Sequence, residues 1–162
     1  MKVLVTGFCG NDNPSNILVS NIEKGESLIF PNSFPAIDRF LSIVDLSQFQ
    51  VILMFGVRNN LKTKAHFETC AALNGERLMT SVNFIKMRED FLSEGISTIV
   101  NENPTNFLCN YAYFRVLQKN KNTIFIHLPP TKYIDLDKYK KAVKKIIQSY
   151  TGVIDKMVWR KF

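Results

Sequence analysis

Three cysteines and two histidines are the side chains of this sequence best able to attack a carbonyl or move a proton near neutral pH. Cys109 sits in "NFLCNYAYF", just inside the first turn of a helix that the pattern predicts, with Asn106 as its cap. Unpaired N–H groups at a helix start stabilise a thiolate, and the same donors can hold the oxyanion formed when a carbonyl is attacked. The competing reading is a small apolar residue packed on a helix face, since free cysteine is among the most buried residue types. His127 closes the apolar run "NTIFIH", and "LPP" behind it makes a rigid exit that would hold an imidazole in place. Glu68 lies among apolar neighbours in "KAHFETCAAL", where an ionised carboxylate is costly unless paired. It either orients His127 as the third member of a triad or faces water from an edge strand.

Other chemistries have weaker support. Cys9, His66, Cys70, Cys109 and His127 form no paired-cysteine zinc spacing, and His66 and Cys70, four apart, fall in a segment that alternates like a strand. "GFCGNDNPS" matches neither the dinucleotide nor the phosphate-loop pattern. No metal and no cofactor is therefore expected.

The elements that must position these residues alternate. "KVLVTG" reads as a strand buried on both faces, and "NDNPSNILVSNI" as a helix with Asn13 or Asp12 as cap, Pro14 in its first turn and Ile17, Leu18 and Ile22 on one face. "ESLIFPNSF" contains a strand, "AIDRFLSIVDL" a helix, "QVILMFG" a strand, and "KAHFETCAAL" a further strand. A helix over 82–94 ends before Gly95, "ISTIV" is a strand, "NENPT" a loop, "NFLCNYAYFRVLQ" a helix and "NTIFIH" a strand. A last helix spans about 135–150. This order predicts an α/β fold in one domain over 1–162, an open, mostly parallel sheet with helices on both faces. Ligands of such sheets bind beyond the carboxyl ends of the strands. If the strands before Cys109 and at His127 run parallel, both residues reach one rim.

Composition fits that reading. With 46% apolar and 22% charged residues the chain should fold as a compact soluble domain. No run approaches a membrane span, and "MKVLVTGF" is too short for a secretory core. Three cysteines without a pairing pattern favour a reducing, cytoplasmic setting. The net charge of +7 is concentrated in "DKYKKAVKKIIQSY" and the closing "RKF". There Tyr139, Val143, Ile146, Ile147 and Tyr150 recur at helical spacing, so a solvated basic face is expected rather than a nucleic-acid contact.

"FLCN" after a β-branched strand, "FIHLP" downstream, and "VLVTGF" with "NPS" at the start together resemble pyroglutamyl peptidase I, the pyrrolidone-carboxylate peptidase family of cysteine peptidases. Phe107-Leu108-Cys109-Asn110 is similar to that family's Tyr-Leu-Cys-Asn, and Phe125-Ile126-His127-Leu128-Pro129 to its Phe-Ile-His-Val-Pro. Glu68 with Ala71 fits its glutamate segment, in the same order along the chain. The resemblance implies Cys109 as nucleophile, His127 as proton shuttle and Glu68 as its orienting carboxylate, with Phe8 and Asn13 at the substrate. It also implies a peptide substrate with a blocked amino terminus, an open α/β sandwich, a cytoplasmic homo-oligomer (dimer or tetramer) and no metal or cofactor.

This sequence departs from the family pattern in the opening loop, where Cys9-Gly10-Asn11-Asp12 replaces Glu-Pro-Phe-Gly and the second aromatic is absent. Pro104-Thr105 stands for Ala-Gly, Thr69 for Arg, and Arg58 is displaced from the family's Gly-Arg loop. The resemblance therefore carries two expectations: removal of amino-terminal pyroglutamate, or an altered, inactive protein serving in binding or assembly.

Overall fold

The computed structural model describes residues 2–105 and 107–152. Asn106 and the closing "RKF" lie outside the described residues. Strands β1 (Lys2–Phe8), β2 (Glu26–Phe30), β3 (Phe49–Val57), β4 (Lys64–Glu68), β7 (Ser97–Asn101) and β8 (Thr123–Leu128) form a six-stranded sheet in the order β2-β1-β3-β8-β4-β7. The short strands β5 (Cys70–Leu73) and β6 (Glu76–Met79) form a separate hairpin. Helices α1 (Pro14–Ser20), α3 (Ile85–Ser93) and α5 (Leu136–Thr151) cover one face of the sheet; α2 (Phe34–Ile43) and α4 (Leu108–Lys119) cover the other.

Strand alternation sorts the core into these two layers. Val3, Val5, Val51, Leu53, Phe55, Ile124 and Ile126 pack against Leu18, Phe91, Val143 and Ile146. Leu4, Phe8, Ile52, Met54 and Phe125 pack against Ile37, Leu41, Ala112 and Val116. Continuous apolar runs in the central strands are what burial on both faces requires. The lysine-rich α5 buries Tyr139, Val143, Ile146 and Ile147, and its Lys145 pairs with Glu94 at 2.7 Å. Among the described residues no helix is long and apolar enough to cross a membrane.

Local chemistry explains the element ends. Asn13 caps α1 by accepting from the Ser15 backbone N–H, with Pro14 at the first turn. Asp135 caps α5 in the same way, accepting from Lys138.

Three expectations need correction. "KAHFETCAAL" is two strands rather than one: it breaks at Thr69, after which β5 leaves the main sheet and pairs with β6 across a turn in which Asn74 and Gly75 take positive φ (50° and 80°). Such an Asn-Gly pair is a hairpin turn. The helix expected over 82–94 begins only at Ile85, since Thr80 Oγ1 and Asn83 Oδ1 accept the N–H groups of Val82 and Ile85. Finally, β4 is antiparallel to β8 and parallel to β7, so the strand before Cys109 runs opposite to the one ending at His127.

Candidate active site

The reversal of β7 removes the shared-rim argument, yet Cys109 and His127 still meet. The first turn of α4 lies where β3 and β8 end, beside Gly56, and α4 then runs down the sheet so that Tyr113 reaches Thr123 O. There Gly56 is registered beside His127, and the Cys109 sulfur lies against Gly56. A Cβ added at Gly56 would come within 2.9 Å of Cys109 Sγ and 2.7 Å of Phe125 Cζ. A side chain at this strand end would displace the thiol.

Phe107 occupies the cap position of α4, and among the described residues no side chain caps the helix; the expected cap, Asn106, lies outside them. Cys109 is thus the second helical residue, among N–H groups that have no intrahelical partner. Asn110 secures this end: its side chain donates to Ala72 O at 2.8 Å and accepts from Ala72 N at 3.1 Å, which docks α4 on β5.

Glu68 is buried, 4% exposed, so the water-facing alternative is overturned. β4 lies between β8 and β7 rather than at an edge. Its Oε1 stands 2.7 Å from His127 Nδ1, and its Oε2 accepts from Asn101 Nδ2 at 2.6 Å. A carboxylate accepts only, so Nδ1 carries the hydrogen toward it and Nε2 is left to take a proton. Tyr113 Oη donates to the Glu68 carbonyl at 2.8 Å, fixing the backbone beneath the carboxylate. Phe125 stacks beside the imidazole at 4.7 Å between ring centroids.

Cys109, His127 and Glu68 line a narrow cleft with Cys70, Asn110, Tyr113 and Phe125. Cys109 and His127 also open onto a second, wider cavity of about 390 Å³, walled by Val57, Arg58, Asn59, Asn60, Thr105 and Phe107. The structure thus brings together the three residues singled out for catalysis. It does not bring Phe8 or Asn13 to either space. Phe8 is 3% exposed and packs on Phe30 and Phe125, while Asn13 is engaged in capping α1.

Electrostatically, the thiol is not acidified in this state. Burial pushes Cys109 up to about 12, with the Glu68 charge adding to the effect and a backbone hydrogen bond opposing it. Near neutral pH the resting sulfur is therefore held as a thiol rather than a thiolate. His66, opposite His127 across the β4/β8 pair, is held toward its neutral form by burial and then by the Arg58 charge. Arg58 itself lies 3.9 Å from Glu68 Oε1. Among the described residues no group of His, Cys, Asp and Glu is arranged to hold a metal ion.

Sequence reasoning passed over Asn101, Gly56 and Tyr113. The only signals were a polar residue closing a β-branched strand, a glycine ending an apolar one, and an aromatic one turn past the cysteine. None identifies a partner without the fold.

No family model and no curated protein matches the chain. Solved structures do. The pyrrolidone carboxyl peptidase from Thermus thermophilus superposes with a TM-score of 0.74 at 18% identity, over 88% of this chain and 96% of that one. Pyroglutamyl peptidase I from Bacillus amyloliquefaciens gives a TM-score of 0.73 at 19% identity over 94% and 95%. A mutant pyrrolidone carboxyl peptidase from Pyrococcus furiosus gives 0.74 at 17% over 95% and 100%. This chain has the fold of those proteins, as the motif resemblance implied.

Proposed function

We propose that this chain is a thiol-dependent amidohydrolase of peptides, with removal of amino-terminal pyroglutamate as its reaction. The observation that carries the reading is the Glu68–His127 contact of 2.7 Å beside a cavity onto which Cys109 also opens. The fold shared with pyrrolidone carboxyl peptidases supports it.

In this reading His127 Nε2 takes the Cys109 proton as the sulfur bonds to the scissile carbonyl carbon. The resulting imidazolium is stabilised by Glu68, whose orientation Asn101 holds. The oxyanion finds donors among the N–H groups at the start of α4, which no described side chain caps. Collapse breaks the carbon–nitrogen bond, the amine leaves with the proton from His127, and water then hydrolyses the thioester to free the acid and restore the thiol. Because burial holds the thiol neutral, proton transfer is coupled to attack rather than completed beforehand. Three free cysteines, Cys9, Cys70 and Cys109, support action in a reducing, cytoplasmic setting.

One observation favours the second reading, a binding or assembly protein with an inert thiol: Cys109 is pushed up to about 12. A single assay separates them. Purified protein is incubated with a pyroglutamyl fluorogenic amide beside Cys109→Ser and an iodoacetamide-treated sample. Release that vanishes in both controls is the expected result. No release, together with a Cys109 that resists alkylation, leaves the binding protein.

A further inference from the structure

The cavity in front of Cys109 contains a cation that the reaction just described does not use. Arg58 follows directly from the end of β3, and its backbone N–H donates to Leu128 O at 3.0 Å, which roots it one residue beyond His127. Its side chain is 32% exposed and lines the cavity with Asn59, Asn60 and Thr105. No described residue accepts a hydrogen bond from its guanidinium. Glu68, the nearest carboxylate, is 3.9 Å away, beyond hydrogen-bond length, and its two oxygens already serve His127 and Asn101. Five guanidinium donors at a cavity wall therefore lack an acceptor among the described residues, beside side-chain amides that can add to the same contact.

We propose that Arg58 is a carboxylate-recognition residue of this cavity, so that preferred substrates carry a carboxylate within about one residue of the scissile amide. The inference rests on the reading of Cys109 as the acyl-accepting nucleophile. A planar guanidinium binds a carboxylate through paired hydrogen bonds, a geometry that lysine does not reproduce. The cavity, about 390 Å³, has room for one small residue and its carboxylate. Glu68 opposes an incoming anion, but its oxygens are engaged by His127 and Asn101, whereas Arg58 lines the cavity and is a third exposed. Two placements satisfy the same chemistry: a carboxylate on the acyl group, or the carboxyl terminus of a dipeptide on the leaving side.

The test compares alkylation of Cys109 by iodoacetate and iodoacetamide, in which the sulfur displaces iodide and the thiol proton passes to the base or solvent. An ordinary thiolate prefers the neutral reagent. The unsubstituted protein should prefer the anionic one, and Arg58→Gln should lower the iodoacetate-to-iodoacetamide rate ratio about tenfold, the range of one charge-assisted hydrogen bond. Arg58→Lys should fall between them, and circular dichroism checks that each variant is folded. Rapid alkylation with a ratio unchanged by Arg58→Gln overturns the anion site and leaves the nucleophile standing; inertness to both reagents overturns both. Substrate arms then assign the side. Preference for a succinyl over an acetyl amide puts the carboxylate on the acyl group, preference for pyroglutamyl-alanine over its carboxamide puts it on the leaving side, and preference for neither overturns the proposal.

Discussion

The ends of β1 and β3 are built alike and do different things. Each strand is apolar and reaches a glycine near its carboxyl end, and each glycine admits a close neighbour where a side chain would collide. At Gly7 that neighbour is the backbone of α1: an added Cβ would lie 2.5 Å from Ser15 O. At Gly56 it is the Cys109 sulfur and the Phe125 ring. The β1 end is closed by structure, with Ser15 Oγ accepting the Phe8 N–H at 3.0 Å and Asn13 capping the helix. The β3 end is left open, facing a cavity onto which a thiol and an imidazole emerge. A glycine near a strand end marks close approach in both places: of helix backbone at Gly7, of a thiol and an aromatic ring at Gly56.

This contrast can be broken at its strongest point first. Cys109→Ala should reduce turnover of a pyroglutamyl amide by more than about 10³-fold while the melting temperature holds. Phe8→Ala should do the opposite, lowering stability by about 3–5 kcal/mol in denaturant titrations with little change in turnover per folded molecule. At the glycines, Gly56→Ala should lower kcat about 100-fold by displacing the sulfur, since misplacement by an ångström costs about that much. Gly7→Ala should instead cost about 1–3 kcal/mol of stability, because Ser15 O is backbone and cannot swing away.

A smaller effect sharpens the open end. Asn101→Ala frees one oxygen of Glu68, and kcat should fall about tenfold with KM and melting temperature unchanged, as for a positioning residue. The alkylation rate against pH separates the roles of burial and base. In His127→Ala it should climb about tenfold per pH unit toward about 12, the behaviour of a thiol that burial keeps neutral. The intact protein should react faster than that variant near neutrality, because His127 takes the proton. At the closed end, Asn13→Ala should cost about 1 kcal/mol in stability and leave KM alone. A rise in KM would return Asn13 to the substrate.

Much of the fold was legible because the signals are local. Apolar runs of strand length, Pro14 behind Asn13, and the spacing of Tyr139, Val143, Ile146 and Ile147 each report an element without reference to any other. The misses fall where a local pattern has two readings. Alternation continues across Thr69, so nothing short of the Asn74-Gly75 turn distinguishes one long strand from a strand and a hairpin. The "VNF" before Ile85 looks helical until Thr80 claims the N–H of Val82 and Asn83 that of Ile85.

For the site, residue types and position made Cys109, His127 and Glu68 candidates beside purely structural readings, and the resemblance of "FLCN" and "FIHLP" to known motifs tipped them toward catalysis. Their meeting was a tertiary matter. Strand direction is a property of pairing, and β7 pairs parallel with a β4 that runs against β8. The charge state of Cys109 was decided there too, because helix-start donors favour the thiolate while packing against Phe125 and Gly56 removes the water it would need. Sequence determines which groups are available and which elements carry them; distance, burial and the sign of a pKa shift arise only when separate elements exclude solvent from one another.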